Sequence, residues 1–111
     1  MKQIVLDTNF ILTCIKQKID FFEQLFCYEI VIPTQVIAEL KRIDKTSLAL
    51  KILSKNSFKE INLTTGYVDK GIIKFAKENS DAIIATLDKE IQKKIKNYKL
   101  IIRGKKKLEI I

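Results

Sequence analysis

Gln3-Ile4-Val5-Leu6-Asp7-Thr8-Asn9 decides the reading of this chain. Its apolar residues run together without alternation, as expected of a strand covered on both faces in a parallel sheet, and the run ends on an acid. The same texture recurs at Glu29-Ile30-Val31-Ile32, at Asp81-Ala82-Ile83-Ile84-Ala85 and at Lys99-Leu100-Ile101-Ile102. A weaker strand is expected over 58–63, and a last extended piece over 107–111. Between these runs, apolar residues return at three- and four-residue spacing over 9–15, 19–27, 34–43, 45–55, 67–79 and 88–97, which predicts helices. Strand and helix alternate throughout. The alternation predicts an α/β fold of three layers, α/β/α, with a mostly parallel central sheet and any site at the carboxyl ends of its strands.

The chain has 111 residues, close to the usual size of one domain, and no internal repeat or linker interrupts it. Residues 1–111 are therefore expected to form a single domain. Apolar residues make up 47% and charged residues 31%, a globular composition. Histidine is absent, which excludes Ser-His-Asp triads, Cys-His dyads and imidazole metal ligands. Cys14 and Cys27 lie in apolar surroundings without Cys-x-x-Cys spacing, so both are expected to be buried thiols. No Gly-rich phosphate loop argues for a nucleotide cofactor. Asp7 interrupts the first apolar run too early for a signal-peptide core, and no apolar run is long enough to span a bilayer. A cytoplasmic protein without membrane contact is the expectation. Twenty-one Lys and Arg against thirteen Asp and Glu leave a charge of +8, which favours a polyanionic partner through counterion release, although a lysine-rich surface has the same composition.

Four acids occupy unusual positions. Asp7 ends the first strand, Glu39 rides on the helix after the second, Asp69 opens a helix, and Asp88 follows the strand at Ala82–Ala85. At about 100° per residue, Asp69 shares a face with Ile72, Ile73 and Ala76, so it is expected in the middle of an apolar face. Glu39 sits at the edge of the arc made by Val36, Ile37, Leu40 and Ile43. Each acid has a structural reading of its own: Asp88 and Asp7 as helix N-caps, Asp69 as a partner for the helix dipole, Glu39 as an edge residue reaching solvent. Those readings do not explain why four element ends that a parallel sheet brings together all carry an acid. Four carboxylates in one place repel unless a cation shares the site, and all-oxygen ligation suits Mg²⁺ or Mn²⁺. Such ions, with a basic surface nearby, point to phosphodiester chemistry on a nucleic acid.

These residues resemble the PIN-domain nucleases over the whole chain. Val5-Leu6-Asp7-Thr8-Asn9 is similar to the family's opening, and Pro33-Thr34-Gln35-Val36-Ile37-Ala38-Glu39-Leu40 to its Pro…Val-x-x-Glu-Leu helix. Asp69 in Val68-Asp69-Lys70-Gly71-Ile72-Ile73 matches the third acid, and Asp88 in Ile84-Ala85-Thr86-Leu87-Asp88-Lys89-Glu90 the fourth. The ending Leu100-Ile101-Ile102-Arg103-Gly104-Lys105-Lys106-Lys107-Leu108-Glu109 looks like the archaeal branch related to the eukaryotic ribosomal-RNA-processing PIN proteins. The resemblance implies an endoribonuclease in which Asp7, Glu39, Asp69 and Asp88 hold Mg²⁺ or Mn²⁺. It further implies supporting hydrogen bonds from Thr8, Asn9 and Thr86, and products with a 5′-phosphate and a 3′-hydroxyl.

Arg103, Lys105, Lys106 and Lys107 are the candidate RNA-binding segment, with Lys93, Lys94, Lys96 and Lys99 near in sequence; Tyr67 and Tyr98 are the aromatic candidates for stacking on a base. The expected partner is RNA, with a homodimer and a protein partner, an antitoxin or a ribosome-assembly factor, also in view. Two alternatives stand beside the processing enzyme: a toxin-type PIN ribonuclease of a toxin–antitoxin pair, and an inactive PIN-fold RNA-binding scaffold. A phosphoacceptor receiver domain is discounted, because it needs an Asp at the end of its third strand, where this chain has Asn62-Leu63.

Overall fold

The computed structural model describes residues 1–43 and 47–111. In chain order they form β1 (Gln3–Leu6), α1 (Thr8–Lys16), α2 (Phe21–Gln24), β2 (Glu29–Pro33), α3 (Thr34–Ile43), α4 (Leu48–Ser54), β3 (Lys59–Ile61), α5 (Val68–Glu78), β4 (Ile83–Ala85), α6 (Lys89–Lys94), β5 (Lys99–Arg103) and β6 (Lys107–Ile110). The strands make one sheet in the order β3-β2-β1-β4-β5-β6. The first five are parallel, and β6 returns antiparallel to β5 with Arg103 opposite Lys107. Gly104, at φ +65°, supplies the left-handed residue that a tight hairpin loop needs.

The apolar runs work because alternate residues serve opposite faces. Ile4 and Leu6 of β1, Ile30 and Ile32 of β2, and Ile83 and Ala85 of β4 pack with Phe10, Ile11 and Cys14 of α1, Phe21 of α2, Val36 and Leu40 of α3, and Leu53 of α4. Val5, Val31 and Ile84 face the other way, onto Ile72 and Ala76 of α5 and Ile91 of α6. The expected three layers are thus two cores sharing one sheet. Among the described residues, no helix is long and apolar enough to cross a membrane.

Several expected elements are shorter than their patterns. The helix expected over 19–27 is confined to α2, and the last turn of the one expected over 88–97 is replaced by a loop. Asn97 explains the second difference. Its buried side-chain amide donates to the carbonyls of Ala76, Asn79 and Ala82 at 3.1, 2.9 and 2.9 Å, stitching the end of α5 and the approach to β4 to the loop before β5. Residues 45 and 46 of the helix expected over 45–55 lie outside the described residues. Cys14 is buried as expected, with burial pushing its thiol up to about 12, but Cys27 is exposed. The early end of α2 leaves Cys27 in the loop before β2, where no apolar face covers it.

One glycine is required by packing. A Cβ at Gly71 would stand 2.9 Å from Cβ and 2.8 Å from a terminal carbon of Leu63, so α5 approaches the chain after β3 too closely for any side chain. Helix propensity alone favours Gly71→Ala by about 1 kcal/mol. We expect the opposite sign in urea unfolding, a loss of roughly 1–3 kcal/mol, because overpacking against Leu63 outweighs propensity.

Candidate active site

The sheet order reverses between β1 and β4: the chain moves outward from β1 to β2 and β3, then crosses back to β4 on the other side. In open α/β sheets the crevice at the carboxyl ends of the strands beside such a reversal is where ligands bind. Asp7 follows β1 there, and Asp88 follows β4 and Thr86.

Asp7 is only 5% exposed. Its backbone N–H donates to the Ala85 carbonyl at 3.0 Å, extending the β1–β4 pairing by one residue beyond β1. Its carboxylate is held by two donors. Thr8 N–H gives 2.8 Å to Oδ1, which makes Asp7 the N-cap of α1, and the buried Thr86 hydroxyl gives 2.9 Å to Oδ2. Thr86 in turn accepts from the Asp88 N–H at 3.1 Å, so one hydroxyl joins both acids of the crevice. Gln92 fixes the Thr86 carbonyl from α6 at 2.8 Å. Asp88 caps α6 by accepting from Glu90 N–H at 2.9 Å. A carboxylate that takes one donor on each oxygen keeps further lone pairs free.

Glu39 lies on α3 and Asp69 in the first turn of α5, where both line a cleft of about 330 Å³ with Tyr67, Val68 and Lys70. The cleft is assembled by Gln35. Its side-chain amide donates to the Leu63 carbonyl and the Asn62 side chain at 2.9 and 3.0 Å, and its Oε1 accepts from Leu63 N–H at 3.1 Å. The helix that carries Glu39 is thereby bound to the loop that leads to Asp69. Asp69 differs from its expected place in the middle of an apolar face: it is exposed. It stands on the same side of α5 as buried Ile72 and Ala76, but it lines the open cleft with Glu39.

The acids feel one another. Burial raises the Asp7 carboxyl above its ordinary value, the Thr86 and Thr8 bonds oppose that, and the charges of Asp69 and Glu39 push it further up. Asp69 is raised by desolvation first, then by the charges of Asp88 and Glu39. Among the described residues, Arg42, 3.8 Å from Glu39 on the same helix, is the one cation at ion-pair distance from any of the four. No three acidic or thiol side chains among the described residues stand close enough together to hold an ion as placed. The donor set itself fits a hard cation: four carboxylates, all oxygen, mutually repelling, with the Thr8 hydroxyl buried beside Asp7 and lacking a hydrogen-bond partner. Of the supporting residues, Thr86 touches Asp7 through its side chain, Thr8 through its backbone, and Asn9 is exposed on α1.

The basic segment Arg103 to Lys107 forms the tip of the β5–β6 hairpin, exposed throughout. Arg103 is paired with Glu109 at 2.6 Å, and Gln24 of α2 grips the tip through the Lys106 carbonyl and the Leu108 N–H. Gln24, Gln35 and Asn97 carry no sequence signal: each is a lone amide whose role depends on partners distant in the chain.

The fold, the reversal point and the acids found there define a class, and comparison with known proteins agrees. The model of the PIN like domain family matches residues 4–105, and the chain belongs to that family. Among its relatives is "Ribonuclease VapC4" of Methanocaldococcus jannaschii, 32% identical, with 99% of this chain matched to 97% of that protein. Another is "rRNA-processing protein fcf1" of Schizosaccharomyces pombe, 33% identical over 84% of this chain, which spans only 53% of that longer protein. The solved structure of the PIN domain endonuclease Utp24 superposes with a TM-score of 0.84 at 28% identity, covering 97% of this chain and 90% of that one.

A carboxyl whose folded pKa lies above its unfolded one binds its proton more tightly when folded, so stability falls as pH rises from near the unfolded value of 3.8 through the folded one. Asp7→Asn removes that loss and keeps a good N-cap. In protein free of divalent ions, we expect Asp7→Asn to melt higher than wild type at pH 7 and the gain to vanish below about pH 4.

Proposed function

We propose that residues 1–111 are a single PIN domain acting as a cytoplasmic, metal-dependent endoribonuclease, with Asp7, Glu39, Asp69 and Asp88 as the acids that hold Mg²⁺ or Mn²⁺. The observation that carries this reading is Asp7, a carboxyl buried at the point where the sheet order reverses and raised further by two other acids, Asp69 and Glu39. A buried charge facing like charges is an arrangement that stability alone does not favour.

When bound, a divalent ion supplies Lewis acidity at the scissile phosphate and lowers the pKa of the attacking water. The chain's own residues do the positioning. Thr86 and the Thr8 N–H hold the Asp7 carboxylate in one orientation, and Thr86 passes that constraint to the Asp88 backbone. Gln35 keeps the Glu39 and Asp69 wall together. Water attacks phosphorus, the bond to the 3′-oxygen breaks, and a proton goes to that oxygen, leaving a 5′-phosphate and a 3′-hydroxyl. Asn9, exposed beside Asp7 on α1, is assigned a supporting contact to the attacking water or the substrate. Exposed Arg103, Lys105, Lys106 and Lys107 attract RNA phosphates from the hairpin.

We read the setting as ribosomal-RNA processing, supported by the relative named for it and by the Arg103-Gly104-Lys105-Lys106 pattern at the β5–β6 turn. A second reading, a toxin-type ribonuclease with an antitoxin partner, is favoured by one observation: the chain matches nearly the full length of the archaeal ribonuclease. Induced expression separates them, since a toxin arrests growth in an Asp7-dependent way and a processing enzyme does not.

Thermal unfolding during titration of Mn²⁺ or Mg²⁺ tests the site. A ligand at a hundred times its Kd stabilises the folded state by about 2.7 kcal/mol, so wild type should melt several degrees higher and Asp69→Asn should not respond. RNA cleavage should follow the same pattern and be abolished in Asp7→Asn. Loss of response in both proteins at millimolar metal overturns the reading in favour of an inactive scaffold.

A further inference from the structure

Helix α5 carries Lys70, Lys74 and Lys77 at positions i, i+4 and i+7. At about 100° per residue the three fall within an arc of roughly 60°, and at 1.5 Å per residue they extend over about 10 Å. All three are exposed, and with Ile73, Glu78 and Lys94 of α6 they line a groove of about 380 Å³. Lys70 also lines the cleft of Glu39 and Asp69, so groove and cleft adjoin at that side chain. Tyr67, 71% exposed, lines the cleft beside Lys70, whose ammonium stands 5.4 Å from its ring centre. Tyr98, the other exposed tyrosine, precedes β5 at the amino ends of the strands, away from the acids.

We propose that this lysine stripe is the track of the RNA strand leaving the acid cleft, with Tyr67 as the platform on which the first base beside the cleft stacks. The inference rests on the nuclease reading above and adds the path of the strand along α5 and the residue its base stacks on. Three ammonium groups in a row over about 10 Å can meet successive phosphates of one strand. The acids repel phosphate while the stripe attracts it, so a strand is drawn along α5 and held with one phosphodiester over the carboxylates. Tyr67 serves every base alike, since each has a π-face, and Lys70 over the ring adds a charge beside the stack. The basic hairpin tip assigned above to attracting RNA is a separate surface: Ile102, Leu108 and Ile110 pack it on the α1–α2 side of the sheet, the face opposite α5, and Arg103 there also pairs with Glu109.

The test measures binding of a fluorescent 12-nucleotide oligouridylate to the 111-residue chain with chelator present, across a salt series. Removing two phosphate contacts lowers the slope of log K against log salt by about 1.4 for a single strand. Lys74→Gln/Lys77→Gln should show that drop. Tyr67→Leu should weaken binding about tenfold with the slope unchanged, because stacking releases no counterions. Lys51→Gln/Lys55→Gln, exposed on and just after α4, should bind as wild type does. An unchanged slope in Lys74→Gln/Lys77→Gln, an equal drop in Lys51→Gln/Lys55→Gln, or a wild type that does not bind the oligonucleotide overturns the track. Cleavage by the same proteins with Mn²⁺ is scored separately: wild type that cleaves while the slope stays unchanged removes the track and leaves the nuclease, and wild type that binds without cleaving does the reverse.

Discussion

The hydrogen bond from the Thr86 hydroxyl to Asp7 joins the ends of the two central strands at the place where the sheet changes direction. Everything at that end of the molecule is arranged around it. The bond satisfies a buried hydroxyl, orients a buried carboxylate, and through the Asp88 N–H sets the start of α6. Caps and crevice are therefore one structure, and the choice between Asp as helix cap and Asp as functional group is not a real alternative here. Asp88 caps its helix with one oxygen and leaves the other without a protein donor among the described residues, while Asp7 takes one donor on each oxygen and keeps a further lone pair on both.

Such an arrangement opposes folding. A desolvated carboxyl facing other acids is carried only because the surrounding sheet leaves it little freedom to move away. The restraint comes from both cores, which hold β1 between two apolar layers, and from three side-chain amides that tie loops to helices. Gln35 fastens the chain after β3, Asn97 closes the loop before β5, and Gln24 holds the hairpin. The Asn97 bonds serve buried carbonyls, where a bond left unmade costs about 1–3 kcal/mol, while those of Gln35 are part-buried and those of Gln24 exposed.

Much of this was legible in the residues. Runs such as Ile4-Val5-Leu6 and Ile83-Ile84-Ala85 can only be strands covered on both faces, and the acids that end them mark the carboxyl edge of a parallel sheet. Helical periodicity located α3 and α5 to within a residue. What periodicity lacks is the height of a residue relative to the sheet. Asp69 lies on the correct side of its helix and is exposed all the same, because the cleft shared with Glu39 opens over it. Cys27 failed for a related reason, since an apolar neighbourhood in sequence says nothing of where a helix stops. The tethering amides were invisible because their partners lie far away in the chain, 28 residues for Gln35 and Leu63.

The two ends of the sheet differ in direction yet share one property. At one edge β3 is three residues long, with exposed Lys59 and Glu60; at the other, β6 carries exposed Lys107 and partly buried Glu109. Shortness and charge on outermost strands make poor templates for pairing with a further chain, which protects a protein of high isoleucine content against sheet-to-sheet aggregation. Any symmetric assembly of this molecule is thereby directed away from a continuous intermolecular sheet and toward contacts between helix faces.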